Sequence, residues 1–238
     1  MSHPELDRRR GEVLDALAAA VQGPGAAALL GVKGDALDAA VAADRRVRRA
    51  PTMPAIDRYT GVLYGELDHT TLPPSSRRRL DACVRIASGA FGLVAPTDPI
   101  PDYKLKMGAT LPPLGRLATW WRPAIEAEVG ELAAGRTVWD LLPGEHAAAC
   151  RTGTLGASAV LSVRFLDAVG TGAQRKLVTV SHWNKLLKGA LVRHVLATGL
   201  DDPDGLQRFT HPLGYTYRPE LTAERAGRTE VSLVLRRR

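Results

Sequence analysis

The chain has 238 residues, of which 45% are hydrophobic and 24% charged, so it can bury a sizeable core and is not disordered, collagen-like or stapled by disulfides. Lys and Arg total 32 against 25 Asp and Glu, a formal net charge of +7, which favours a polyanionic partner. The sequence lacks an apolar run of roughly 18 residues and a secretory signal, so we expect a cytoplasmic protein without a membrane partner.

The first fifty residues predict helices. Ser2 and Glu5 have the spacing of a capping box, and Asp35 stands where a helix cap is expected. The predicted order is a helix from about Ser2 to Val21, a short helix over 26–30, a hairpin over 31–34 and a helix over 35–46.

The rest of the chain alternates between helical and strand patterns. The pattern predicts a helix from Ser75, a buried strand over 83–87, a long loop over 90–110, a helix over 114–129, a strand over 137–142, antiparallel strands over 160–165 and 176–181 joined by a turn at 170–172, a helix over 184–198, and short strands over 213–217 and 231–235. We therefore predict an α+β fold with a mixed β-sheet flanked by helices. One domain over 1–238 would contain a helical-hairpin subregion over 1–50 and an α+β body over 51–238.

Metal and redox chemistry have little support in the residue spacing. Cys83 and Cys150 lie in no CxxC or zinc-like array, so we expect two buried free thiols. Asp140, Glu145 and His146 follow a predicted strand, but without an HExxH sequence a surface loop is the better interpretation. We predict neither a metal site nor a cofactor.

The long loop begins at the carboxyl end of a predicted strand, where ligands often bind. Its glycines could let backbone amides approach an anion, and Lys104 and Lys106 would project from one side of an extended segment. An ordered connector whose glycines serve turns explains the same residues equally well, because the sequence is neither a P-loop nor GxGxxG.

Two further segments could bind phosphate. Asn184, Lys185 and Lys188 fall within roughly a 100° arc at the start of a predicted helix, although charge runs usually form a solvated face. The turn Gly31-Val32-Lys33-Gly34 between two helices resembles a helix-hairpin-helix, which holds DNA phosphates without reading bases. A plain αα-hairpin is the alternative interpretation of that turn.

Several segments together closely resemble the bacterial peroxide stress protein YaaA family over residues 50–217. The matching residues are Ala55-Ile56-x-x-Tyr59-Thr60-Gly61-Val62-Leu63-Tyr64, Ser88-Gly89-x-Phe91-Gly92, Pro96-x-Asp98-x-Ile100-Pro101-x-Tyr103-x-Leu105-x-Met107-Gly108, Ser181-His182-Trp183-Asn184-Lys185-x-x-Lys188-Gly189-x-Leu191-Val192-Arg193 and Leu213-Gly214-Tyr215.

The resemblance implies a cytosolic α+β protein of the peroxide response that is linked to limiting free iron. It also implies non-specific binding of double-stranded DNA through a basic cleft and a helix-hairpin-helix. It brings no settled catalytic activity. Family members usually begin with a short strand and a lysine-containing loop, and this chain shows no counterpart before its first helix. We expect either that part of the family's site is lost or that the start codon is placed late.

Two hypotheses follow, and the sequence favours the first, a non-enzymatic DNA-binding stress protein. Its DNA- or anion-binding candidates are Lys33, Arg58, Ser88, Gly89, Gly92, Lys104, Lys106, Asn184, Lys185, Lys188 and Arg193. The alternative is an enzyme acting on a small anionic ligand, such as a nucleotide or modified nucleobase. Its catalytic candidates are Asp98, Tyr103 and Glu145. Direct iron sequestration is the least favoured hypothesis, because oxygen and imidazole ligands are not clustered in the sequence.

Overall fold

The computed structural model describes residues 1–170, 176–180 and 183–235. The helices are α1 (Asp7–Ala20), α2 (Ala26–Leu30), α3 (Asp35–Arg45), α4 (Ala55–Arg58), α5 (Val62–Leu67), α6 (Pro74–Cys83), α7 (Leu117–Ala133), α8 (Gly144–Ala147) and α9 (Asn184–Thr198). The strands are β1 (Thr52–Pro54), β2 (Ile86–Ser88), β3 (Gly92–Val94), β4 (Pro99–Pro101), β5 (Thr110–Leu111), β6 (Gly115–Arg116), β7 (Thr137–Asp140), β8 (Ala159–Val169), β9 (Lys176–Thr179), β10 (Tyr215–Tyr217), β11 (Ala223–Arg225) and β12 (Arg228–Leu235).

The chain packs into two compact units. The first unit comprises Met1–Tyr59, Cys83–Glu131 and Leu142–Arg151, and the second comprises Thr60–Ala82, Leu132–Leu141 and the described residues from Thr152 onward. The predicted α+β class, the mixed sheet and the helical N-terminus are confirmed. The division into subregions over 1–50 and 51–238 stays a prediction.

The first unit contains three antiparallel two-stranded ribbons, β1 with β4, β2 with β3, and β5 with β6. The buried guanidinium of Arg10 on α1 donates to the carbonyl oxygens of Phe91 and Leu93 at 3.1 and 2.8 Å. The fully buried indole of Trp121 on α7 donates to the Gly89 carbonyl at 2.9 Å. Because buried carbonyls need partners, these two side chains allow the short β2–β3 ribbon to lie inside the unit.

The second unit contains a six-stranded sheet in the order β10-β12-β8-β7, with β11 paired to β12 and β9 paired to β8. β8 runs parallel to both β7 and β12, and the other pairings are antiparallel. Leu187 and Leu191 of α9 pack into a core with Phe165 of β8 and Leu233 of β12. This core buries the apolar face of α9 that carries Leu187 and Leu191.

The antiparallel pairing of β8 with β9 confirms the predicted hairpin, and α9 has the predicted bounds of 184 and 198. The predicted turn at 170–172 lies partly outside the described residues, and so do Ser181 and His182. No helix among the residues that the structure describes is both long and apolar enough to cross a membrane.

The loop predicted over 90–110 is wrong in part, because it contains β3, β4 and the start of β5. Strands of two or three residues carry almost no periodic signal, and here side chains remote in sequence hold them. The strand predicted from Cys83 begins instead at Ile86, since α6 extends through Cys83, whose side chain is exposed rather than buried. Cys150 is buried and free, as predicted.

Both predicted side-chain helix caps are also wrong. Gly34, not Asp35, precedes α3, and neither α3 nor the helical turn at Pro4 has a side-chain hydrogen bond at its cap. The backbone N–H of Ser2 donates instead to Asp98 Oδ1 at 2.5 Å. A tertiary contact therefore replaces the local capping box.

The close packing of α9 on α5 depends on Gly189. A Cβ at this position would overlap the backbone carbonyl of Leu63 and approach the Glu66 Cβ to 2.9 Å. We expect Gly189→Ala to lower the free energy of unfolding by about 1–3 kcal/mol, the usual cost of overpacking, as measured by urea denaturation.

Gly65 on α5 is the matched control, because its Cβ would meet nothing within 4 Å. There the substitution to Ala should stabilise the helix by about 0.5–1 kcal/mol. A Gly189→Ala protein as stable as the Gly65→Ala protein would contradict this account of the contact.

Candidate functional site

The segment from Asp102 to Met107 carries three of the candidate side chains of the first unit, Tyr103, Lys104 and Lys106. Leu105 and Met107 are buried, whereas Lys104 and Lys106 are exposed. The alternation of an extended segment thus places both ammonium groups on the outer side, as the sequence pattern predicts.

Asp44 of α3 holds the segment over 102–107 through a hydrogen bond to its backbone. Its Oδ1 accepts a hydrogen bond from the Lys104 backbone N–H at 2.8 Å, and its Oδ2 is buried without a hydrogen-bond partner among the described residues. Burial raises the pKa of this carboxyl to about 6; the Lys104 hydrogen bond opposes the shift, and nearby Asp102 adds to it. The sequence analysis missed Asp44, although it lies on the same helical stripe as Leu37 and Ala40.

Three hydroxyl groups meet behind the segment. The Tyr103 hydroxyl lies 2.8 Å from the Tyr59 hydroxyl and 2.8 Å from Ser88 Oγ, which accepts a hydrogen bond from the Phe91 N–H at 3.0 Å. Burial raises the pKa of Tyr59, and its hydrogen bonds to Ser88 and Tyr103 act in the opposite direction. The phenol therefore stays neutral at physiological pH. Tyr59 is part of the family motif, but the sequence analysis assigned it no role.

A surface cavity of about 200 Å³ opens beside these hydroxyls. It is lined by Arg58, Tyr59, Asp102, Tyr103, Lys104, Leu105 and Lys106. Four sequence candidates, Arg58, Tyr103, Lys104 and Lys106, therefore share one pocket within the first unit. We call it the Tyr103 cavity.

The predicted hairpin joins α2 to α3 through Gly31 and Gly34, which both have positive φ (65° and 57°). Lys33 is exposed at the tip. A Cβ on Gly31 would lie 2.9 Å from Lys106 Nζ, so the Lys106 side chain lies against the hairpin as well as lining the Tyr103 cavity.

Two glycines predicted to bind anions serve backbone packing. A Cβ on Gly89 would overlap the Leu105 carbonyl, and one on Gly92 would approach the Trp121 ring to 2.8 Å. Gly92 also has a φ of 74°. These contacts account for both glycines without a ligand, and their role in anion binding stays a prediction.

Two of the catalytic candidates have structural partners. Asp98 is buried, and its two carboxylate oxygens accept hydrogen bonds from the Ser2 and Ala95 backbone N–H groups. The Glu145 carboxylate packs against Gly108, where a Cβ would come within 2.9 Å of it. Only Tyr103 among the three candidates lines the Tyr103 cavity.

The candidates on α9 belong to the second unit. Lys188 Nζ donates to the Leu141 carbonyl at 2.9 Å, and burial lowers its pKa while Asp140 opposes the shift. Arg193 donates to the carbonyls of Leu67 and Asp68, both at 2.9 Å.

Lys185 is exposed, and Asn184 Oδ1 is a buried acceptor with no partner among the described residues. Lys188 and Arg193 thus have structural contacts, and phosphate binding by α9 stays a prediction. Within the described part of the chain, no group of three or more His, Cys, Asp or Glu side chains could hold a metal ion.

Comparison of the sequence with known proteins places the chain in a family. A family model described as "Peroxide stress protein YaaA" matches residues 2–221. The chain is 37% identical over 186 residues to a UPF0246 protein of Streptomyces coelicolor, covering 77% of this chain and 69% of that protein. It is 34% identical over 197 residues to a UPF0246 protein of Corynebacterium glutamicum, covering 81% and 74%. A UPF0246 protein of Ruegeria is 34% identical over 171 residues, covering 69% and 66%.

The raised pKa of Asp44 predicts a pH-dependent stability. The folded protein binds more protons than the unfolded chain between the ordinary pKa of 3.8 and about 6. The Asp44 contribution to the free energy of unfolding therefore falls as the pH rises through that window. Allowing for screening by nearby solvent, we expect Asp44→Asn to gain about 1–2 kcal/mol relative to wild type between pH 4.5 and 7.5.

Urea denaturation at several pH values in this range measures the difference. Asp38→Asn, at an exposed position of the same helix, is the control and should follow the wild-type profile. A stability difference between Asp44→Asn and wild type that does not change with pH would contradict the assignment.

Proposed function

The chain belongs to the peroxide stress protein YaaA family, and on this basis we propose that it acts in the peroxide stress response by binding double-stranded DNA without sequence preference. The observation that carries the proposal is the hairpin over 31–34 with two lysines beside it. A role in limiting free iron stays a prediction from the family resemblance.

The hairpin geometry suits a phosphate contact. Positive φ angles at Gly31 and Gly34 turn the chain tightly between two helices, and Lys33 stands exposed between them. Backbone N–H groups at the start of α3 lack partners within the helix. Asp35 and Asp38 in that first turn oppose an anion, so we place the phosphate at the hairpin tip and the lysines rather than over the helix axis.

Lys106 supplies a second positive charge at the same place. Its ammonium lies against Gly31, although 75 positions separate the two residues in the sequence. The buried Asp44 carboxyl on α3 fixes the backbone of Lys104, two residues before it. Lys33 and Lys106 therefore form one basic surface with the turn over 31–34, which we call the hairpin surface.

A further basic group stands at the other end of α3, about 16 Å away for an 11-residue helix. Arg45, Arg46 and Arg49 are exposed there, whereas Arg48 pairs with Asp15 at 2.7 Å. DNA presents a phosphate charge about every 1.7 Å along its axis, so both ends of α3 can contact one duplex. The sequence analysis did not single out these arginines.

An enzyme acting on a small anionic ligand is the second candidate function. One observation favours it: Tyr103, whose hydroxyl is hydrogen-bonded to Tyr59 and Ser88, lines a cavity together with three basic residues. Of the proposed acid–base residues, Asp98 already binds two backbone amides. We therefore rank DNA binding first.

Fluorescence anisotropy of a labelled mixed-sequence duplex at several salt concentrations between about 50 and 200 mM tests the proposal. Wild-type affinity should fall steeply with salt. Lys33→Gln should weaken binding to all sequences alike and reduce the slope of log K against log salt by about one.

Lys176→Gln, at an exposed lysine of β9, is the matched control and should bind as wild type does. A duplex that fails to bind at low salt would overturn the DNA proposal. If Lys33→Gln has wild-type affinity and salt slope, the hairpin is not part of the DNA-binding surface.

A further inference from the structure

The Tyr103 cavity is small, and its lining includes three basic residues. Its volume of about 200 Å³ is below the roughly 300–1,000 Å³ of sites that enclose drug-sized ligands. Its lining brings three cations, Arg58, Lys104 and Lys106, against the single carboxylate of Asp102. This charge balance suits a small anion with more than one negative charge.

Arg58 supplies an unsatisfied donor in this lining. Its Nε is buried and has no hydrogen-bond partner among the described residues. A buried donor without a partner is costly, and a guanidinium is suited to planar, two-point recognition of oxyanions. Arg58 also lines the cavity, so its guanidinium is the group that would pair with an oxyanion there.

Neutral hydroxyls complete the lining. Tyr103 lies between Tyr59 and Ser88 in a hydrogen-bonded group, and the two tyrosines line the cavity. Phenol groups can donate to a phosphate oxygen without adding charge. A lining that combines three basic residues with two tyrosines offers charge and hydrogen-bond donors suited to an oxyanion.

We propose that the Tyr103 cavity binds the terminal phosphate of a phosphate monoester. A monoester carries about −1.5 to −2 charge at pH 7, whereas each internal phosphate of DNA carries one, so three cations favour the monoester. The ligand is either a free nucleoside monophosphate or the 5′-phosphate at a DNA strand end. Only the second source rests on the proposed DNA-binding function.

Lys106 links this cavity to the hairpin surface. The same side chain lines the Tyr103 cavity and lies against Gly31. A free monophosphate that draws the ammonium into the cavity removes a charge from the hairpin. Free monophosphate and an internal stretch of duplex should therefore compete, whereas a 5′-phosphorylated end should engage both surfaces.

Isothermal titration with inorganic phosphate, adenosine 5′-monophosphate and adenosine tests the cavity alone. Phosphate and the monophosphate should bind, and adenosine should not. Arg58→Gln should weaken monophosphate binding at least about tenfold, the ratio expected for one charged hydrogen bond. Arg58→Lys should lose part of the affinity, and Lys176→Gln should lose none.

Thermal unfolding of each variant checks that it is folded, and Lys104→Gln, at an exposed position, provides a second test should Arg58→Gln fail to fold. The strand-end source is tested with nicked duplexes that differ only in a 5′-phosphate or a 5′-hydroxyl at the nick. The 5′-phosphate should raise the affinity at least about tenfold, and Arg58→Gln should abolish that difference.

The outcomes separate the two proposals. Binding of the monophosphate without any duplex binding would support the cavity with a free ligand and overturn the DNA function. A second outcome is duplex affinity that does not depend on the 5′-phosphate, with no titration signal for phosphate or monophosphate. This outcome would overturn the cavity proposal and leave the DNA-binding proposal intact. Monophosphate binding unchanged in both Arg58→Gln and Lys104→Gln would also overturn it.

Discussion

The hydrogen bond from the Lys104 backbone to the buried carboxyl of Asp44 is the constraint on which both surfaces of the first unit depend. It ties the segment over 102–106 to α3, the second helix of the hairpin. Without that tie, nothing local in the sequence would place Lys106 beside Gly31 or line a cavity with Lys104. The carboxyl that holds this geometry is buried and has a raised pKa, so its ionisation opposes the stability of the fold.

Close backbone approach is the second requirement of the site. Gly89 allows the β2–β3 ribbon to meet the Leu105 carbonyl, and Gly31 leaves room for the Lys106 side chain. Arg10 and Trp121 then satisfy carbonyls of the ribbon. The glycines of the central motif thus serve packing that positions the lysines, and the proposed ligand contacts come from the lysines, the tyrosines and Arg58.

Local sequence patterns predicted the periodic helices and strands well, and they predicted the features that depend on tertiary contacts poorly. α9 and the hairpin over 31–34 follow from helical periodicity and glycine placement. The ribbons could not be predicted, because strands of two or three residues carry almost no periodic signal. In addition, β1 pairs with the distant β4, and the side chains that support the β2–β3 ribbon, Arg10 and Trp121, are remote in sequence. The alternation of Lys104 and Lys106 was visible, but their association with Arg58 and Tyr59 required the fold. The position of Asp44 on the apolar stripe of a helix indicates its burial, but the sequence analysis did not include it.

Contact between duplex DNA and the hairpin surface is the core of the proposed function. Hydrogen exchange of the full chain, with and without a mixed-sequence duplex, tests it most directly, because protection reports the position of contact as well as binding. If duplex DNA contacts the hairpin surface, exchange should slow over residues 31–36 and 104–106. Tight duplex binding that leaves these amides unchanged, with protection confined to the start of α9, would contradict it.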